Sequence, residues 1–290
     1  MRPRLIAVLP TLITLGNAAC GFGAITFAAK LGPADLSDLG RDSLFASNPS
    51  LVAALLVYLG MLFDMLDGSA ARLTRQTSEL GAQLDSLCDA VSFGVAPAFL
   101  MLQFVSRELA DVNALQWHPR LLWTIGALYT VCAIMRLARF NVETEEDDAH
   151  DTFSGLPSPA AAGTVVAFPF AMSTLRELAA GDPGTMKDVA EWLIPAFKVG
   201  LPAITFAVAC LMVSRIRYPH FFNQLFRGQR SKRHIVQLVF SFAVIFWAHE
   251  LAVPMIFCVF AFGAPLRSAW TRAVNGRPVT ANDAANANDN

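Results

Sequence analysis

A chain of 290 residues that is 54% hydrophobic and only 16% charged, with a mean hydropathy of +0.46, does not fit an ordinary soluble domain, in which charged residues make up about 25%. The formal net charge of −1 gives no lead to partners, and a nucleic acid is not expected among them.

An apolar helix of about 20 residues crosses the roughly 30 Å of bilayer hydrocarbon. In chain order the candidate spans are Leu5–Ala29, Leu51–Ala70, Leu80–Phe104, Leu121–Phe140, Pro159–Leu178, Leu193–Val213, Ile235–Ala248 and Leu251–Ala264. The last two are short, and fit one re-entrant hairpin or a pair of tilted helices. The expected fold class is therefore all-α, a polytopic membrane bundle. Arg2 and Arg4 ahead of the first apolar run imitate a secretory signal, but the run continues to Ala29 and Asn17 sits where a cleavage motif wants a small residue. An uncleaved first helix is expected.

Between the spans, Leu31–Ser50 reads as a polar loop and Glu143–Asp151 as a solvated acidic loop. Arg215–Arg233 mixes basic and aromatic residues, which suits an interfacial segment on anionic headgroups. Residues 275–290 are Asn/Ala/Asp-rich without periodicity and are expected to be a disordered polar tail after one membrane domain, 1–274. If all eight spans cross, 15 of the 22 Lys and Arg fall on the side of the N-terminus. The positive-inside bias then makes that side cytoplasmic. Cys20, Cys88, Cys132, Cys210 and Cys258 each fall in a different apolar span with no C-x-x-C pairing, and read as buried free thiols. The five histidines are scattered and form no metal-spaced pair.

The chemistry concentrates in FDMLDGSAARLTRQTSELGAQLDSLCDA. Asp64 and Asp67 are three residues apart at the end of the second span, so they share a helix face. Asp85 and Asp89 are four apart near the start of the third. The short connection between the spans makes them antiparallel neighbours, and four carboxylates converge at one depth near the cytoplasmic surface. Ionisable groups in such sequence are expensive without a compensating charge. Two Mg²⁺ or Mn²⁺ ions, hard cations that favour carboxylate oxygens, would supply it. Gly68, Ala71 and Gly81 keep the helix surfaces beside the aspartates small, either for a flat or phosphorylated ligand or for helix packing. Arg72 suits phosphate oxygens.

The pattern Asp64-x-x-Asp67-Gly68-x-x-Ala71-Arg72-x8-Gly81-x3-Asp85-x3-Asp89 resembles, without a departure, the signature of the CDP-alcohol phosphotransferases. The resemblance implies a six-helix membrane core, here with about two extra C-terminal spans, and commonly a homodimer. It implies displacement of CMP from a CDP-linked lipid or alcohol by an acceptor hydroxyl. Asp64, Asp67, Asp85 and Asp89 would hold two divalent cations, with Asp89 also the general base. Gly68, Ala71, Arg72 and Gly81, with Asp67 and Asp85, would line the CDP site.

Three further stretches, Leu9–Ala24 with Thr14, Asn17 and Gly21 in step, Arg136–Val142, and Phe153–Gly163, are similar to those of the family's phosphatidylserine synthases. That implies CDP-diacylglycerol as donor and L-serine as acceptor. A glycerol 3-phosphate, inositol phosphate or choline acceptor is the alternative within the family. Arg136 and Arg139 share a face near the cytoplasmic end of the fourth span, where they either bind the acceptor carboxylate or lipid phosphate, or snorkel to headgroups. Asn17 either contacts a ligand or makes a helix–helix hydrogen bond. The rival from another class is a cation-coupled transporter with aspartates on its ion path, and a further one is a catalytically dead scaffold. The aspartates lie at one membrane face, the halves show no repeat, and no aspartate is missing. The expected setting is the inner membrane with the site facing the cytoplasm.

Overall fold

The structure is a computed structural model that describes residues 3–30, 48–74, 79–110, 112, 116–146, 153–181, 184–218 and 252–275. Within these the side chains of 3–10, 69–74, 79, 108, 143–146, 153–154, 217–218, 268–269 and 271–275 are not described. Seven helical runs account for most of the described residues. α1 is Pro3–Ala29, α2 is Pro49–Thr74, α4 is Pro119–Glu146 and α5 is Ser158–Ala180. α6 is Thr185–Val213 and α7 is Ala252–Asn275.

The third run, α3, is a composite. It is α-helical over Glu79–Asp89, opens into a π turn over Ala90–Val95, resumes over Ala96–Gln103 and ends in a second π turn, Phe104–Glu108. Pro97 explains the first opening. Proline has no N–H for the carbonyl four residues back, here Phe93, and its ring crowds that carbonyl. The helix widens instead, with the Ala96 N–H bonding the Val91 carbonyl five residues back. Two hydroxyls of α4 reach into the opening. Tyr129 donates to the Phe93 carbonyl at 3.0 Å and Thr130 to the Gly94 carbonyl at 3.2 Å.

α1 through α6 each contain an apolar stretch long enough to cross a membrane. The protein is a polytopic helical membrane protein. Of the eight expected spans, Ile235–Ala248 lies outside the described residues. Leu251–Ala264 falls on α7, whose apolar part, Ala252–Arg267, is shorter than the six spans. Glu143–Glu146 corrects the expected acidic loop: they extend α4, because glutamate continues a formed helix at little cost. The Leu31–Ser50 loop, the Arg215–Arg233 segment and the tail lie almost wholly outside the described residues. Among the cysteines Cys210 is a correction, since it faces outward from α6; Cys20, Cys88 and Cys132 are buried.

α3 and α5 are the inner helices of the bundle, their spans far more buried than the other four. One core joins α1, α2, α3 and α5 through small side chains, including Ala24, Ala28, Ala53, Ala54, Ala96 and Ala162. Such residues let helix backbones approach where lipid removes the hydrophobic drive. The other core joins the second half of α3 to α4, α5, α6 and α7. There Lys198 is 1% exposed, and its ammonium donates to the carbonyls of Val112 and Ala110 at 2.9 and 3.4 Å. A buried cation thus pins the non-helical link after α3.

A two-residue antiparallel ladder pairs β1, Phe153–Ser154, with β2, Arg217–Tyr218, joining the α4–α5 link to the end of α6. Gly155 follows with φ +87, a left-handed conformation that suits glycine. Its N–H bonds the Ile216 carbonyl at 2.9 Å, and the Leu156 N–H bonds Leu211 at 3.1 Å. The ladder and these two bonds fix where α5 begins.

Candidate active site

The site forms where the second half of α2 meets the first half of α3. One carboxylate oxygen from each of Asp64, Asp67 and Asp85 lies within 4.8 Å of the others. Asp67 is 6% exposed. Its Oδ2, and Oδ1 of Asp85, are buried with no hydrogen-bond partner among the described residues. Buried polar atoms are ordinarily paired. Three converging aspartates, two of them with an orphaned oxygen, are a donor set suited to hard divalent cations.

Asp89 completes the four on a different footing. It lies within electrostatic range of Asp64, Asp85 and Asp67, yet is 7% exposed and accepts a 2.9 Å hydrogen bond from Nδ2 of Asn17 on α1. Asn17 is fully buried and is itself anchored, since the Ser92 hydroxyl donates to its backbone carbonyl at 2.8 Å. Ser92 sits inside the π turn, three residues after Asp89. The helices approach this closely because Gly21 has no side chain: a Cβ there would come within 2.8 Å of Ser92 Cα. Thr14, one turn before Asn17, hydrogen-bonds Asp67. α1 therefore supports both halves of the aspartate group.

Arg136 of α4 lies in electrostatic range of Asp89 and Asp64. One terminal nitrogen of its guanidinium donates to the Ser158 hydroxyl at 2.7 Å, and its buried Nε has no partner among the described residues. Ser158 is the first residue of α5, so the strand-clamped link aims the arginine. Arg139, one turn further along α4, is half-buried. A further tie between α3 and α4 stands beside Asp85, where Asn141 Nδ2 donates to the Ser86 hydroxyl at 2.9 Å.

Among the described residues, a Cβ built on Gly68 would meet nothing within 4 Å. Protein packing does not require glycine there, whereas close approach of a ligand to the helix backbone would. Gly81 is half-buried at the start of α3. Ala71 and Arg72 lie on the last turn of α2, and their side chains are outside those described. The structure thus brings Asp64, Asp67, Asp85, Asp89, Asn17 and Arg136 together. Sequence reasoning missed Ser92, Ser158 and Tyr129. Pro97 inside an apolar run was the available signal for the π turn that involves two of them.

A profile of the CDP-alcohol phosphatidyltransferase family matches residues 7–201. The chain belongs to the CDP-alcohol phosphatidyltransferase family. The transporter and scaffold readings are set aside, and this CDP-alcohol phosphatidyltransferase is a membrane-embedded enzyme. It is 35% identical over 185 residues to the CDP-diacylglycerol–serine O-phosphatidyltransferase of Helicobacter pylori (strain ATCC 700392 / 26695), covering 63% of this chain and 68% of that one. It is 30% identical over 213 residues to the enzyme of the same name from Bacillus subtilis (strain 168), covering 73% and 90%. The archaetidylserine synthase of Methanothermobacter thermautotrophicus is 34% identical over 214 residues, covering 73% of this chain and 69% of that one. All six spans and the whole aspartate group begin within the matched region. α7 lies beyond it.

Proposed function

We propose that this CDP-alcohol phosphatidyltransferase moves the phosphatidyl group of CDP-diacylglycerol to the hydroxyl of L-serine, giving phosphatidylserine and CMP. The observation that carries the chemistry is the group of three converging aspartates, Asp64, Asp67 and Asp85, beside a fourth, Asp89, held apart on Asn17. The serine acceptor rests on the names of the Helicobacter and Bacillus relatives.

In this reading Asp64, Asp67, Asp85 and Asp89 hold two divalent cations, Mg²⁺ or Mn²⁺, which when bound offset the pyrophosphate charge and that of the departing CMP. Gly68, Ala71, Arg72 and Gly81, with Asp67 and Asp85, line the cytidine diphosphate. The open side of Gly68 admits it against the α2 backbone. Asp89 accepts the serine hydroxyl proton as that oxygen attacks the β-phosphorus. The bond from this phosphorus to the oxygen bridging it to CMP breaks, and CMP leaves with that oxygen. Asn17 keeps the Asp89 carboxylate turned toward the acceptor. Arg136, with Arg139 beside it, takes the serine carboxylate or the lipid phosphate, for which the fork of a guanidinium is suited. Positioning contributes more than proton transfer, since a metal-bound carboxylate is a weak base.

We further propose that residues 1–274 form one catalytic membrane domain followed by a polar tail, 275–290. The domain sits in the inner membrane as a homodimer, with its N-terminus and site facing the cytoplasm. The test is CMP release by detergent-purified protein given CDP-diacylglycerol and Mn²⁺ or Mg²⁺, with L-serine, glycerol 3-phosphate, inositol phosphate or choline as acceptor. Release with serine alone, abolished by EDTA and restored by added cation, is expected. Release with another of these alcohols would keep the reaction class and overturn the acceptor.

A further inference from the structure

The π turn of α3 follows directly on Asp89, and Ser92, which anchors Asn17, lies within it. Each extra residue in a helical turn rotates everything beyond it by about 100° relative to what precedes it. The turn therefore sets how Asp89 and Ser92 are disposed around the axis of α3. It is needed because Pro97 gives no N–H to the Phe93 carbonyl. A carbonyl in that state, in a helix buried at its centre, must be satisfied from elsewhere. The donor is the Tyr129 hydroxyl at 3.0 Å, on a side chain that is fully buried. Thr130 adds a bond to the adjacent Gly94 carbonyl at 3.2 Å while also bonding Gly126 in its own helix at 3.1 Å. Neither hydroxyl touches the aspartates.

We infer that Tyr129 is a positioning residue for the transferase reaction: it holds the π turn open at the carbonyl Pro97 leaves bare, and so keeps Asp89 in register with Asn17. The inference rests on the role proposed above for Asp89. It makes α4 a support for the site from behind, in addition to the arginines that α4 carries in front. Tyr129 differs in this from the half-buried Tyr58, whose hydroxyl donates to the Gly163 carbonyl at 3.3 Å, away from the π turn.

The test compares Tyr129→Phe with Tyr58→Phe, two variants that each lose one hydroxyl bonded to a backbone carbonyl. Turnover of CDP-diacylglycerol and serine is measured together with amide hydrogen exchange across residues 91–98. Tyr129→Phe is expected to lower kcat by about tenfold with both KM values within about twofold, and to speed exchange in the turn. Tyr58→Phe is expected to leave kcat and that exchange unchanged. Equal losses in the two variants, or a Tyr129→Phe enzyme with full kcat, would overturn the inference. If wild-type protein releases no CMP with any acceptor, the proposed function fails. The exchange comparison then judges Tyr129, with equal rates in the two variants overturning it.

Discussion

Asp64, Asp67 and Asp85 share one cluster of oxygens, whereas Asp89 stands beside it on the Asn17 amide, and the two situations lead to different expectations. Asp64→Ala or Asp67→Ala removes a ligand, so activity and Mn²⁺ binding are expected to fall together. Electron paramagnetic resonance of Mn²⁺ titrated into each variant checks this, and a variant that still turns over in EDTA would refute the metal role. Asp89→Asn is expected to cut turnover by about 100-fold or more while CDP-diacylglycerol binding persists. Retained turnover would remove Asp89 as the base. Asn17→Leu keeps the side chain's volume and deletes the 2.9 Å bond to Asp89. Its kcat is expected to drop by about tenfold with little change in KM for the lipid, measured from CMP release. Arg136→Ala should raise the KM for serine more than that for CDP-diacylglycerol. The reverse order would assign the guanidinium to the lipid phosphate.

Among the elements, α3 shows what the residue pattern made legible and what it did not. Asp85, Asp89, the apolar run and the antiparallel partner α2 can all be read from periodicity and spacing, and the fold class follows from span length alone. The π turn cannot be read that way, because three consecutive buried residues, Ser92, Phe93 and Gly94, look like any apolar stretch. Only the conjunction of Pro97 with hydroxyls at Tyr129 and Thr130 marks it, and those lie more than 30 positions apart. Arg136 was legible as a cation needing a partner, but Ser158 was not legible as that partner, since a two-residue ladder and a left-handed glycine decide where α5 begins. The α1–α3 contact is testable at this scale. A side chain at Gly21 would meet Ser92. Gly21→Val is expected to destabilise the bundle by about 1–3 kcal/mol, lowering the thermal midpoint in detergent, and to weaken turnover as well. Full activity at normal stability would mean that α1 and α3 can separate without disturbing the site.

For the molecule as a whole, the matched region ends within α6, yet the chain does not pack as a core with a loose appendage. Phe257 of α7 stacks on Tyr58 of α2 with ring centroids 5.8 Å apart, and its ring fills the notch left by Gly163 on α5, where a Cβ would lie 2.6 Å from Cζ. Gly163→Ala is expected to displace α7 and cost about 1–3 kcal/mol, read as a lower thermal midpoint. An unchanged midpoint would make the seat of α7 incidental. The same notch orders events in time. A ribosome delivers α2 and α5 well before α7, and N-terminal parts of a chain assemble first. During that interval α7 has not yet supplied the Phe257 ring to the notch beside Tyr58. Made after the helices that carry the aspartates, α7 therefore acts as a late latch on the bundle, and the seating of one ring in one glycine notch becomes a step in its biogenesis.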